Sequence, residues 1–168
     1  FLVINKDYKN IATIVLLTRQ AIPVIDRDKY ASEENFYKGA YIISDCDIDP
    51  EIVIFATGSE VHLALEAKEI LSQYQIRVIN MPCWELFDKQ SDEYIDSLLF
   101  YKDALLVSIE AGIVDGWQKY TGRNGLNIGI NSFGESAPGL EVANLFGITT
   151  DSLVHKIKDK MSNKVLSN

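Results

Sequence analysis

Between Ile52 and Gly58 the chain reads IVIFATG, an unbroken apolar run closed by a glycine. A strand that is apolar on both sides of its pleat must be covered on both faces, the condition of a largely parallel sheet flanked by helices. The next residues, SEVHLALEAKEILSQY, predict an amphipathic helix with Val61, Ala64, Leu65, Ile70 and Leu71 on its apolar face. Ser59 or Thr57 can accept from its first free amides, and Glu60 complements its positive end. The alternation then repeats. Strands are predicted at IRVIN (76–80), ALLVSIEAG (104–112) and, after the turn signal Asn124-Gly125, LNIGINSFG (126–134). MPCWELFD interrupts after the first of these, and SDEYIDSLL follows as a helix opened by Ser91. TTDSLVHKIKDKM closes the pattern as a helix burying Leu153, Val154, Ile157 and Met161, and SNKVLSN after it reads as a frayed end.

The first fifty residues follow a different logic. IATIVLLTRQ (11–20) predicts a buried strand, AIPVIDRDKYASEENFYKG shows no period and reads as a linker, and GAYIIS (39–44) predicts another strand. The acidic turn DCDIDPE returns the chain into IVIFATG, a short connection that suits antiparallel neighbours. The expected fold class is therefore α/β: a three-layer α/β/α arrangement with a mixed, mostly parallel sheet of about five strands, one of them antiparallel. The strand at 11–20 has no companions before it and would leave two apolar faces uncovered outside the later sheet. With Phe1 in place of an initiator methionine, the chain reads as cut from something longer.

Composition narrows the function classes. At 168 residues and 47% hydrophobic the chain can bury one real core, since about 150 residues suits a single domain. A formal charge of −8 and a pI of 4.7 exclude an electrostatic footprint for nucleic acid and disfavour an anionic membrane surface. Any anionic substrate must then meet a local positive site. Cys46 and Cys83 lack the spacing of a zinc site or redox dithiol and read as small buried hydrophobes in a reduced compartment. No run reaches the ~20 apolar residues of a membrane span, and no signal peptide opens the chain, so the cytoplasm is the expected location.

Few residues carry recognisable chemistry. TGSEV resembles a phosphate-binding turn, because a helix start after a parallel strand offers free amides, yet it is neither G-x-G-x-x-G nor a P-loop, and Glu60 stands where an anion would. His62 and His155 both fall in predicted helices without the spacing of metal ligands or a catalytic triad, so surface or packing roles are expected. Glu85 and Asp88 lie near Trp84, which suits acid-base work beside an aromatic, or capping of and pairing with the following helix. Arg19 differs from these. It follows an apolar strand at the end where open α/β sheets hold ligands, and a guanidinium offers a planar fork to phosphate.

The run LLTRQAIPVIDR resembles the end of the pyrimidine-binding domain of the transketolase family, where an S/T-R-Q-x-x-P segment is characteristic. The resemblance continues through YKGAYIISD, VIFATGSEVHLALEAKEIL, RVINMPCWELFDKQSDEY, SIEAGIVDGWQKYTG, IGINSFGESAPG and ANLFGITTDSLV, from Ile11 to Met161. It implies an enzyme that moves a two-carbon ketol unit from a ketose phosphate to an aldose phosphate in the pentose phosphate pathway. Such an enzyme uses thiamine diphosphate with Mg2+ or Ca2+ and works as a homodimer. The implied division is 1–22 as the end of the pyrimidine-binding domain, 23–38 as linker, 39–161 as the C-terminal domain and 162–168 as a frayed tail. No segment matches the family's G-D-G…N metal motif, its cofactor-activating glutamate or its histidine-rich loops, so neither cofactor nor metal is expected on this chain, and catalysis by it alone is not expected.

By position, Arg19 matches the family's substrate-phosphate arginine, the single site residue carried over, with Thr18 where a serine is common. EAGIVDGWQKY is expected to end a buried strand, admit a neighbour at Gly112 and Gly116, and offer Trp117 as a large apolar contact at a domain or subunit interface. Two alternatives stay open: a nucleotide- or small-anion-binding regulatory module built on TGSEV, and the equivalent domain of another thiamine diphosphate enzyme, against which WELFD and SAPG argue.

Overall fold

The computed structural model describes residues 14–18, 20–101 and 103–165. Five strands form one sheet: β1 (Tyr41–Ser44), β2 (Ile52–Ala56), β3 (Ile76–Asn80), β4 (Leu105–Ile109) and β5 (Leu126–Ile128). Their spatial order is β1-β3-β2-β4-β5. β2 runs parallel to β3 and β4, and β4 parallel to β5, while β1 alone is antiparallel, pairing Tyr41 with Asn80.

The antiparallel strand was expected beside β2, its neighbour in sequence. It lies instead on the far side of β3, so the short connection 45–51 crosses the end of β3 before entering β2. β2 is the centre of the sheet and needs two parallel partners, which leaves no hydrogen-bonding edge free for β1.

Side-chain alternation along β2 splits the core into its two layers. Ile52, Ile54 and Ala56 face a cluster that includes Val61, Ala64 and Leu65 of α1 (Glu60–Ile70) and Leu153, Val154 and Ile157 of α6 (Thr150–Val165). Val53 and Phe55 face the opposite cluster, with Phe87 of α2 (Trp84–Phe87), Leu98 of α3 (Asp92–Leu99) and Tyr120 of α4 (Gln118–Thr121). Leu153 and Ile157 have no exposed surface, and side chains of that size contribute about 1.5–3 kcal/mol each on full burial. The three-layer α/β/α expectation stands.

Several details differ from the sequence reading. Residues 14–18 carry no strand and stand in solvent, as an apolar segment without companions must when it lies outside the sheet. The linker contains a 3-10 turn, Glu33–Lys38, opened by Ser32, whose hydroxyl accepts from the Glu34 N–H. Gly39 ends it at φ 80°, where a Cβ would stand 2.3 Å from both the Cys83 carbonyl oxygen and the Phe87 nitrogen; only glycine fits. Ile70 is half exposed on the rim of α1 instead of joining its apolar face. α6 continues through Val165, into the stretch read as frayed. Ser91 caps α3 as expected, accepting from the Tyr94 N–H at 3.3 Å. A helix absent from the sequence reading, α5 (Gly139–Phe146), is apolar yet buries no residue fully.

Candidate functional site

The strand order reverses at β2, which has β3 on one side and β4 on the other, so the carboxyl ends of β2 and β4 frame the crevice where open α/β sheets bind ligands. The chain leaves β2 through Thr57, Gly58 and Ser59 into α1. Ser59 does not cap the helix as expected. It adopts a helical conformation and donates its hydroxyl to Glu60 Oε1 at 2.6 Å.

Glu60 is the residue that fills the crevice. Its side chain is nearly enclosed, and Oε2 accepts the backbone N–H of Ala111, just past β4, at 3.0 Å. A carboxylate of the protein thus occupies the helix start, where an incoming phosphate would otherwise receive the amides and the dipole. It also ties the β2–α1 turn to the end of β4. This geometry argues against TGSEV as an anion site.

The turn after β4 is built around a second acid. Glu110 Oε2 accepts from Trp117 Nε1 at 2.8 Å, and Trp117 is buried to 1% exposure. Trp117 was expected to reach outward to an interface. It points inward, because its indole N–H has a carboxylate partner inside and its ring meets Trp84 edge-to-face at 5.0 Å. Gly116 makes the close approach expected of it: at φ 92° a Cβ would lie 2.5 Å from Trp84 Cζ3. Gly112 contributes its carbonyl, which accepts the Ile130 N–H at 2.7 Å.

The other candidates hold structural partners. Asp88 accepts from Lys119 Nζ at 2.6 Å and from the Tyr120 hydroxyl at 3.2 Å, and burial followed by the Asp88 charge pushes the Tyr120 phenol well above its ordinary value. Glu85 Oε2 accepts from Cys83 Sγ at 3.4 Å. Burial raises the Cys83 thiol, as it does that of Cys46, and both cysteines are half-buried where full enclosure was expected. His155 Nδ1 lies 3.0 Å from Asp159 on the exposed side of α6, whereas His62 Nδ1 is enclosed in α1 without a partner. Glu85 therefore pairs within its own turn and Asp88 with α4, and the structure does not gather them with either histidine into an acid-base site.

Arg19 lies outside the described residues; beside it, the Thr18 hydroxyl donates to Gln20 Oε1 at 2.5 Å. Among the described residues, no three His, Cys, Asp or Glu side chains are grouped to hold a metal ion, and the helix start best suited to a diphosphate carries Glu60. These residues do not fit a thiamine diphosphate or metal site. Sequence reasoning missed the Glu60–Ala111 bond and a polar network in which Ser108 and Thr121 donate to Asn127 Oδ1 at 2.7 and 2.8 Å. Only the acid at the first helical position hinted at the former.

Residues 39–149 match the family model described as the transketolase-like TK C-terminal domain. A transketolase of Aquifex aeolicus is 48% identical over 154 residues, covering 90% of this chain and 22% of that protein. Among solved structures, a transketolase from Leishmania mexicana is similar with a TM-score of 0.72 and 38% identity, over 79% of this chain and 19% of that one. A transketolase of Pichia stipitis in complex with sedoheptulose-7-phosphate gives 0.71 and 32%, over 80% and 19%. The chain thus spans about a fifth of the length of these relatives. Because the matched residues carry the whole sheet, with β1 antiparallel at its edge and Glu60 at its centre, the chain belongs to the transketolase family by its C-terminal domain.

Proposed function

We propose that this chain is the C-terminal portion of a transketolase that transfers a two-carbon ketol unit from a ketose phosphate to an aldose phosphate. The observation that carries the reading is the family match across residues 39–149 together with 48% identity to the Aquifex transketolase over 90% of the chain. The sugar phosphate bound to the Pichia stipitis relative supports the substrate class. In this reading, thiamine diphosphate supplies carbanion-stabilising chemistry and is held, with its divalent metal, by protein outside this chain. The chain supplies a rigid domain, subunit contact within a cytoplasmic homodimer, and one substrate contact. No described helix is long and apolar enough to cross a membrane.

That contact is Arg19, the residue assigned to the substrate phosphate. In a chain with a formal charge of −8, a phosphate needs a local cation, and a guanidinium donates two parallel hydrogen bonds without any pKa adjustment. A contact kept equally in ground and transition states lowers KM and leaves kcat alone. Arg19→Ala in the intact enzyme is therefore expected to raise KM for phosphorylated donors and acceptors at nearly constant kcat; unchanged kinetics on all of them would remove the assignment. The isolated chain with thiamine diphosphate is expected to show no ketol transfer, and robust turnover would overturn its assignment as an accessory portion. The regulatory-module reading loses its main support, since the TGSEV helix start is filled by Glu60.

A further inference from the structure

The turn signal Asn124-Gly125 leads into β5, and its geometry presents a reactive pair. Residues 122–125 make a tight turn after α4, closed by the Gly125 N–H donating to the Gly122 carbonyl at 3.3 Å, long for a bond whose usual N–H···O distance is about 2.9–3.0 Å. The Asn124 side chain stands in solvent, and no hydrogen bond among the described residues holds its amide. Only glycine fits at 125, because a Cβ there would stand 2.5 Å from both the Cβ and the carbonyl oxygen of Thr121. The fold thus requires, directly after an unrestrained asparagine, the residue that shields its own amide nitrogen least.

The strand after the turn is sensitive to backbone length. β5 is three residues long and pairs on one side only, with Val107, Ser108 and Ile109 of β4. Asn127 at its centre accepts from the Ser108 hydroxyl at 2.7 Å and from the Thr121 hydroxyl at 2.8 Å, so one side chain ties β5 both to β4 and to the helix before the turn. Asn124-Gly125 lies between those last two anchors, Thr121 and Asn127. A ladder this short has no spare pair to absorb an inserted atom.

We propose that Asn124 is a site of spontaneous succinimide formation and conversion to isoaspartate, and that this modification loosens β5. The Gly125 amide nitrogen, its proton taken by solvent base, attacks Asn124 Cγ. A C–N bond forms, the Cγ–Nδ2 bond breaks, and the departing nitrogen gains a proton and leaves as ammonia. Water then opens the ring at either carbonyl. Opening at Cγ gives aspartate with the original backbone; opening at the α-carbonyl routes the main chain through Cβ and Cγ and lengthens it by one atom. The net change consumes one water, releases one ammonia and adds one negative charge, with no oxidation. Asn131 offers an internal contrast, since its Oδ1 accepts the Val114 N–H at 3.3 Å and the next residue is Ser132, whose side chain shields the nitrogen.

The test ages the intact enzyme beside its Asn124→Gln and Asn124→Asp variants at about pH 7.5 and about pH 8.5, with a free peptide of the same turn as reference. Conversion is read as a gain of about 1 Da placed by peptide fragmentation, and as methyl transfer by an isoaspartate methyltransferase. Opening a turn closed by one long bond costs little, so Asn124 in the folded enzyme is expected to convert within about tenfold of the peptide rate and at least about tenfold faster than Asn131. Loss of the amide proton to base makes the rate rise about tenfold from the lower pH to the higher. Deuterium exchange at Leu126–Ile128 should rise at least about fivefold in the isoaspartyl fraction and stay at the unaged level in fresh Asn124→Asp, which carries the charge without the added atom. Asn124→Gln, which would need a larger ring, is expected to stay unmodified. Conversion slower than that tenfold limit, conversion no faster than at Asn131, or ageing of Asn124→Gln at the parent rate would overturn the site. Unchanged exchange in the isoaspartyl fraction, or an equal rise in Asn124→Asp, would overturn the loosening of β5.

Discussion

Replacing Glu60 by alanine tests the claim that a carboxylate of the protein holds the crevice between β2 and β4. Glu60 is 6% exposed, accepts the Ser59 hydroxyl at 2.6 Å and accepts the Ala111 N–H at 3.0 Å. Glu60→Ala leaves that N–H without its partner, a cost of about 1–3 kcal/mol, and removes an acid from a helix N-terminus, about 0.3–1 kcal/mol more. Relief from desolvating a carboxylate offsets part of this, so we expect a net loss of about 2 kcal/mol. Glu60→Gln keeps an acceptor for Ala111 and loses the charge and the oxygen that accepts from Ser59, whose hydroxyl can turn to accept from the amide instead; about 1 kcal/mol is expected. With a urea m-value of about 2 kcal/mol/M for a chain of this size, the midpoint falls by about 1 M for alanine and about half that for glutamine. Urea unfolding followed by far-ultraviolet circular dichroism at pH 7 measures both. A shift under about 0.3 M for alanine, or a glutamine variant as unstable as alanine, would refute the assignment of Glu60 as an internal counter-anion.

Two further outcomes follow from packing and charge. Gly116→Ala places a Cβ at φ 92°, 2.5 Å from Trp84 Cζ3, and is expected to cost about 3 kcal/mol, a melting temperature lower by roughly 6–12 °C, which thermal unfolding will show. Burial opposes ionisation of Asp45, but the Arg77 hydrogen bond at 2.6 Å and the Cys46 N–H outweigh it and lower its pKa below 3.8. A carboxyl depressed on folding adds stability above its unfolded pKa and loses it as pH falls through its folded pKa, so the stability gap between the wild-type chain and Asp45→Asn is expected at pH 7 and should shrink below about pH 4. Urea midpoints measured from pH 3 to 7 decide this, and a gap independent of pH would contradict it.

What could be read from the sequence was set by local pattern. β2 is an unbroken apolar run, and β3 and β4 are short runs rich in β-branched and aliphatic residues bounded by turn signals, a length and composition that fit strands buried on both faces better than helices. α6 was legible because Leu153, Val154 and Ile157 recur at helical spacing against charges. α5 was not, because GLEVANLF is only eight residues long and its Leu140 and Leu145 stay exposed, so its apolar residues mark no buried face. The place of β1 was misread because a short connection tells how far the chain can travel, not which strand edge is free. Of the site, Gly116 was legible as a close approach. The inward turn of Trp117 depends on Glu110, seven residues away, and the role of Glu60 on Ala111, fifty-one residues away; the sequence shows an acid at the helix start but neither partner. Arg19 rests on family likeness and chemistry alone.

The linker segment whose Ala31 N–H donates to the Ile43 carbonyl of β1 also bears on self-association. A strand with an open row of amides and carbonyls is a template for a foreign chain, and an α/β sheet of this kind has two such margins. On one, Ala31 already occupies the Ile43 carbonyl and a bulge breaks the register of β1 between Ile42 and Ser44. On the other, β5 is only three residues long. Neither margin is long and flat enough to seed a growing fibril, so misassembly of this domain should begin with that linker segment peeling away rather than with its parallel core.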